Sequence, residues 1–241
     1  MKKCLICFVG LYRTFAKTHR NIIDNVVNAN GDYEFDVMMS TEKSCRDRYK
    51  SWLPQKHYDV SGWKYEDGEK LEKDLNEAYG KIGTIIDLDF FEPNMNDGTA
   101  AQVVCERVLR MMNRVTGNYD KVVLLKFDVV LSRPVILDDF NANTFYFFAT
   151  QMKKTRNGFM GCDFDYMFLG DTKSMELNFS RKEYPKEKID ARMQELLTLT
   201  NSTKGEGIYS HLSSVLNLLE GGYSVNVKHG IEKKYLPKII R

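Results

Sequence analysis

A chain of 241 residues with a formal net charge of +2 has room for one sizeable domain and no general electrostatic attraction to nucleic acid. Its 43% hydrophobic and 12% aromatic content describes a globular protein with a substantial core, and no apolar run approaches the roughly 20 residues that cross a bilayer. The five cysteines, Cys4, Cys7, Cys45, Cys105 and Cys162, are odd in number and scattered, which points to reduced thiols in a cytoplasmic compartment rather than to a disulfide framework.

Lys2-Lys3 and the apolar residues after them imitate the start of a signal peptide. The run is short, however, Arg13 interrupts it and no small-x-small cleavage site follows, so residues 3–9 read as a buried first strand ended by Gly10. Cys4 and Cys7 have metal-ligand spacing, but strand residues three apart point to opposite faces. A helix follows with Phe15, His19, Ile22 and Val26 on one face. Residues 34–40 predict a second strand, 41–67 an irregular excursion, 70–79 a modest helix and 83–90 a third strand. The clearest helix carries Ala101, Val104, Val108, Met111, Met112 and Val115, with Asp97 or Thr99 to cap its start and Gly117 to end it.

The unbroken apolar run Val122-Val123-Leu124-Leu125 predicts a strand buried on both faces. It leads to Lys126-Phe127-Asp128, so a carboxylate arrives at the carboxyl end of the strand, the edge at which ligands bind in open α/β sheets. Residues 143–149 and 165–169 predict further strands. Pro185 opens a helix, and Ile208, Leu212, Val215 and Leu219 stripe another that Gly221-Gly222 ends. Residues 223–228 alternate as a last strand. The sum is an α/β three-layer sandwich with a mostly parallel, mixed central sheet, read most simply as one domain over 1–241.

Several segments could carry chemistry. Gly10-Leu11-Tyr12-Arg13-Thr14-Phe15 joins the first strand to a helix start, where free N–H groups and the Arg13 fork suit a phosphate or a base. Asp87-Leu88-Asp89 is an acidic pair at the end of the third strand and competes with Asp128 as a metal-binding motif. In Asp163-Phe164-Asp165 a carboxylate could orient or deprotonate an acceptor hydroxyl. His229 reads as following the last strand, within reach of a metal.

In their order, these pieces resemble a family of small glycosyltransferases of the GT-A type found in viruses and bacteria. The matching positions are Gly10, Arg13, Thr14, Phe15 and Asn21; Phe35-Asp36-Val37; Gln102; Tyr119-Asp120 with Lys126-Phe127-Asp128; Asp165-Tyr166-Met167-Phe168-Leu169-Gly170; and Glu206 before His211-Leu212. Lys126 departs from the pattern, because the family often has Arg there and other GT-A enzymes have the first Asp of Asp-x-Asp.

The resemblance implies a GT-A-like, Rossmann-like fold whose residues 1–135 hold a nucleotide-sugar donor (a UDP- or GDP-sugar) and whose residues 136–241 face a glycan or glycoprotein acceptor. Gly10, Arg13, Thr14, Gln102, Lys126 and Asp128 would serve the donor. Asp128 and His229 would hold Mn²⁺ or Mg²⁺, and Asp163 or Asp165 would be catalytic. A hexosyl- or pentosyltransferase in the cytoplasm, the host's if the source is viral, is the expected activity. The alternative is an α/β module that binds nucleotide or carbohydrate without turnover.

Overall fold

The computed structural model describes residues 1–10, 12, 15–41, 68–90, 100–127, 129–131, 133–150, 153–154, 160–161, 167–180, 182–200 and 208–231. In chain order the elements are β1 (Lys2–Val9), α1 (Phe15–Ile22) continuing into a π-helical turn (Ile23–Val27), β2 (Tyr33–Thr41), α2 (Gly68–Tyr79), β3 (Thr84–Phe90), α3 (Ala100–Met112) and β4 (Lys121–Lys126). Then come β5 (Thr144–Thr150), the two-residue strands β6 (Lys153–Lys154) and β7 (Met160–Gly161), β8 (Met167–Gly170), α4 (Thr172–Phe179), α5 (Lys186–Ala191), α6 (Met193–Thr200), α7 (Ile208–Glu220) and β9 (Ser224–Ile231).

Seven strands form one sheet in the order β3-β2-β1-β4-β8-β5-β9. All its pairings are parallel except the two made by β8, which runs antiparallel to both β4 and β5. The fold is therefore a mixed, mostly parallel α/β sandwich of the Rossmann-like kind. Because strand side chains alternate, the apolar run of β4 feeds two cores. Val123 and Leu125 join Ile6, Phe8, Val37 and Met39 under α1 and α2. Val122 and Leu124 join Leu5, Val9 and Met38 under α3, α4 and α7. Each such side chain contributes about 1.5–3 kcal/mol on burial.

The same alternation sends Cys4 into the first core and Cys7 into the second, so the two cannot share an ion. Burial pushes both thiols well above the usual range, which leaves little thiolate.

Predicted and observed elements differ at several ends. Helix α3 stops at Met112 and not at Gly117. The chain turns there through Arg114 N–H to Met111 O, and the Arg114 side chain reaches Asp87. Gly117 instead leaves room for the Tyr119 ring, whose hydroxyl donates to Asp36 at 2.8 Å. Strand β8 is described from Met167, and the expected start at 165 lies outside the described residues. Helix α4 begins at a capping box: Ser174 N–H donates to the Asp171 carboxylate, and Asp171 N–H donates back to the Ser174 hydroxyl. Among the described residues, no helix is long and apolar enough to cross a membrane.

Candidate functional site

The chain passes from β1 through α1 to β2 and through α2 to β3 on one face of the sheet. It then returns through α3 on the other face to place β4 beside β1. The direction of strand order therefore reverses between β1 and β4. In open α/β sheets the crevice outside the carboxyl ends of the strands at such a reversal is the favoured ligand position.

Gly10 stands at the β1 side of this crevice. Its φ of 103° lies where side chains are strained, and its N–H donates to Ser40 O at 3.1 Å, which ties the turn to the end of β2. A Cβ at Gly10 would meet nothing within 4 Å among the described residues. Lys126 stands at the β4 side, half-buried, in register with Val9. Alternation along β4 puts Lys126 on the α3 face.

Asp89, Ser40, Val9 and Lys126 make one row across four strands at this edge. Its outer end is occupied. The buried Asp89 carboxylate meets Arg110 at 3.0 Å and Arg114 at 3.3 Å and accepts from Ser40 Oγ at 3.2 Å, while Asp87 meets Arg114 at 2.9 Å. The Asp87-Leu88-Asp89 carboxylates do share a face, and on that face they are neutralised by Arg110 of α3 and by Arg114 in the turn just after it. Arg114 is held above its usual range, first by its hydrogen bond to Asp87.

These ion pairs also orient α3. Arg114 reaches Asp87 and Arg110 reaches Asp89, so α3 runs antiparallel to β3. Gln102 lies eight residues further toward the amino end of α3, about 12 Å of helix, and so beyond the strand ends. The positive end of the α3 dipole thus overhangs the carboxyl edge on the same face as Lys126.

The sequence reading named only Asn21 from a polar seam on α1 that holds the chain as it leaves β4. Thr18 Oγ1 donates to Phe127 O at 2.6 Å. Asn21 donates to Leu131 O at 3.0 Å and accepts from Leu131 N–H at 2.6 Å. Val135 N–H donates to Asn25 O at 2.8 Å, and Asn30 brackets Val135 O and Leu137 N–H at 2.7 Å each. The helical spacing of Thr18, Asn21 and Asn25, in a row flanking the apolar face, is the available signal. Below the crevice, the Phe127 ring packs at 5.5 Å from Phe8 and 5.7 Å from Tyr79.

Two other expected pieces lie elsewhere. Tyr119-Asp120 works at the opposite edge, where Asp120 accepts from Lys3 N–H at 2.7 Å and so docks β4 on β1. His229 does not follow the last strand. Strand β9 runs on to Ile231, and His229 is the register partner of Ala149, three strands or about 14 Å from β4. Gln102 belongs to the first turn of α3. Arg13, Thr14, Asp128, Asp163 and Asp165 lie outside the described residues. Met167 pairs with Leu125, so β8 starts at the edge where β4 ends. Among the described residues no three His, Cys, Asp or Glu side chains gather as a metal cage.

Compared by sequence, the chain matches no protein-family profile and no curated protein. Compared by structure, it is similar to 4-diphosphocytidyl-2C-methyl-D-erythritol synthase from Anaerococcus prevotii, at 12% identity and a TM-score of 0.43, over 95% of this chain and 89% of that one. A likeness of that size carries no functional argument, and the fold assignment stands on the strand order, the strand directions and the two helix layers.

Proposed function

We propose that the chain is a nucleotide-sugar-dependent glycosyltransferase whose donor diphosphate lies in the crevice between the carboxyl ends of β1 and β4. One observation carries the reading: Gly10 and Lys126 flank the point where strand order reverses, and the amino end of α3 is directed past the same sheet edge on the Lys126 face. A glycine turn, a cation and a positive helix end are what a diphosphate needs.

Arg13 and Thr14, just after Gly10, would bind the base or the phosphates, and Gln102 would contact the donor from α3. Lys126 would offset diphosphate charge. Asp128 would hold Mn²⁺ or Mg²⁺ together with donor oxygens, an arrangement in which one or two carboxylates suffice and no cage of three is required. When bound, such an ion would supply charge stabilisation for the departing diphosphate. His229, three strands away, is the more distant member of the expected metal pair. Asp163 or Asp165, in the segment that leads into β8, would orient the acceptor hydroxyl of a glycan or glycoprotein and take its proton if the reaction inverts. Among the described residues Cys4, Cys7 and Cys105 are free thiols, which goes with a cytoplasmic location.

The test is release of nucleoside diphosphate from UDP- and GDP-sugars on addition of a glycan acceptor, for the wild-type chain and for Asp128→Asn. Acceptor-dependent release that needs Mn²⁺ or Mg²⁺ and is lost in Asp128→Asn is the expected result. Donor binding without release would favour the non-catalytic module. Turnover unchanged in Asp128→Asn would remove Asp128 from the site.

A further inference from the structure

The sheet stops constraining the chain at Lys126. Pairing of β4 with β8 ends at Leu125, and pairing with β1 ends at Lys126. The segment that follows sits against the proposed donor crevice, and α1 takes over from the sheet in holding it. Thr18 holds Phe127 O, and the Asn21 amide holds both backbone groups of Leu131, as a strand neighbour would. Within the segment, Val129 N–H donates to Lys126 O at 3.2 Å. Asn21 is itself fixed from behind, because Asn25 Nδ2 donates to Asn21 O at 3.0 Å.

We propose that Asn21 is a positioning residue for donor binding, an inference that rests on the reading of the site given above. Its amide selects the one conformation of the segment between Lys126 and Leu131 that presents the strand end to the diphosphate. An asparagine suits the task because a single planar amide both donates and accepts, matching the two backbone groups of one residue. Asn30 makes the same kind of bracket further along, at Val135 and Leu137, where the chain has left the crevice. Asn30 thus separates positioning from stability: its hydrogen bonds resemble those of Asn21, but they lie remote from the strand end.

Losing Asn21 releases the segment into other conformations. Apparent affinity falls in proportion to the fraction that stays competent. Two hydrogen bonds of ordinary strength permit a fall of about tenfold or more.

The experiment titrates UDP and GDP, each with Mn²⁺, into the wild-type chain, Asn21→Ala and Asn30→Ala, with thermal midpoints measured alongside. The expected result is a Kd weakened about tenfold in Asn21→Ala and within about twofold of wild type in Asn30→Ala, although both variants lose stability. Asn21→Asp keeps the acceptor for Leu131 N–H and loses the donor, and it replaces the alanine variant if that one does not fold. It is expected to weaken binding as well. Equal affinities for wild type and the Asn21 variant, or equal losses in the Asn21 and Asn30 variants, would overturn the inference. So would failure of both Asn21 variants to fold, which would make the residue a folding determinant. If the wild-type chain itself binds neither nucleotide with Mn²⁺, the underlying reading fails and the inference falls with it.

Discussion

Asp89→Ala separates the two acidic segments that compete for the metal. The Asp89 side chain is 5% exposed, whereas those of Arg110 and Arg114 are 46% and 37% exposed. Removing the carboxylate therefore strands no buried cation, and the two ion pairs together account for at most about 2 kcal/mol. Ser40 is different. It is fully buried, and its hydroxyl donates to Asp89, so the substitution leaves it without that acceptor at a cost of about 1–3 kcal/mol. The total centres on about 3 kcal/mol, and in a chain of this size each kcal/mol moves the midpoint by about 2–4 °C. Asp89→Ala should thus melt about 6–12 °C lower by circular dichroism while its Mn²⁺-dependent binding of UDP or GDP stays within a few-fold of wild type. A variant that melts like the wild type but has lost all Mn²⁺-dependent binding would refute the reasoning and make Asp87 and Asp89 the metal site.

Two further expectations concern stability alone. Gly222 has a φ of 85° and open space where a Cβ would stand, so Gly222→Ala isolates backbone strain. It should cost about 1–2 kcal/mol in urea unfolding, and a neutral effect would mean that the turn after α7 relaxes freely. Glu220 is held down at about 2, first by Lys188 and then by the Tyr184 hydroxyl. A folded-state value below the unfolded one stabilises at pH above about 4.5, and the contribution fades as pH falls toward about 2. The stability gap between wild type and Glu220→Gln should therefore be full near neutrality and close in acid. A gap independent of pH would show that packing, and not charge, carries the effect.

The parts of the fold legible in the sequence are those with short-range patterns. The apolar runs of β1 and β4 announced buried strands, Pro185 and Gly221-Gly222 marked helix ends, and the glycine at position 10 marked a turn that has positive φ. Strand direction was not legible. A four-residue strand such as β8 carries the same apolar letters whichever way it runs, and only its neighbours decide. The pairing of Asp87 and Asp89 with Arg110 and Arg114 was hidden for a similar reason. Their separation of 20 or more positions becomes contact only after α3 crosses the sheet. The candidate site was partly legible because a carboxyl strand end and a helix start are local features. The seam of Thr18, Asn21, Asn25 and Asn30 was not, since its partners lie about 105–110 positions away.

The order in which the sheet can be assembled follows from the place of β8. Its four residues stand between β4 and β5, although they are made after both. A ribosome that has just finished β5 has produced every parallel strand but β9, yet β5 has no seat in the sheet, because the intervening strand does not exist. For the roughly 44 residues from Lys126 to Gly170, about 2–9 s of synthesis, the outer backbone of β4 is an unpaired edge. That edge belongs to a strand whose four central residues, Val122 to Leu125, are all apolar, the kind that invites pairing with another molecule. Seven register pairs through β8 then join β5 to β4. The nascent chain thus carries an exposed apolar edge in its middle, and a short reversed strand covers it late.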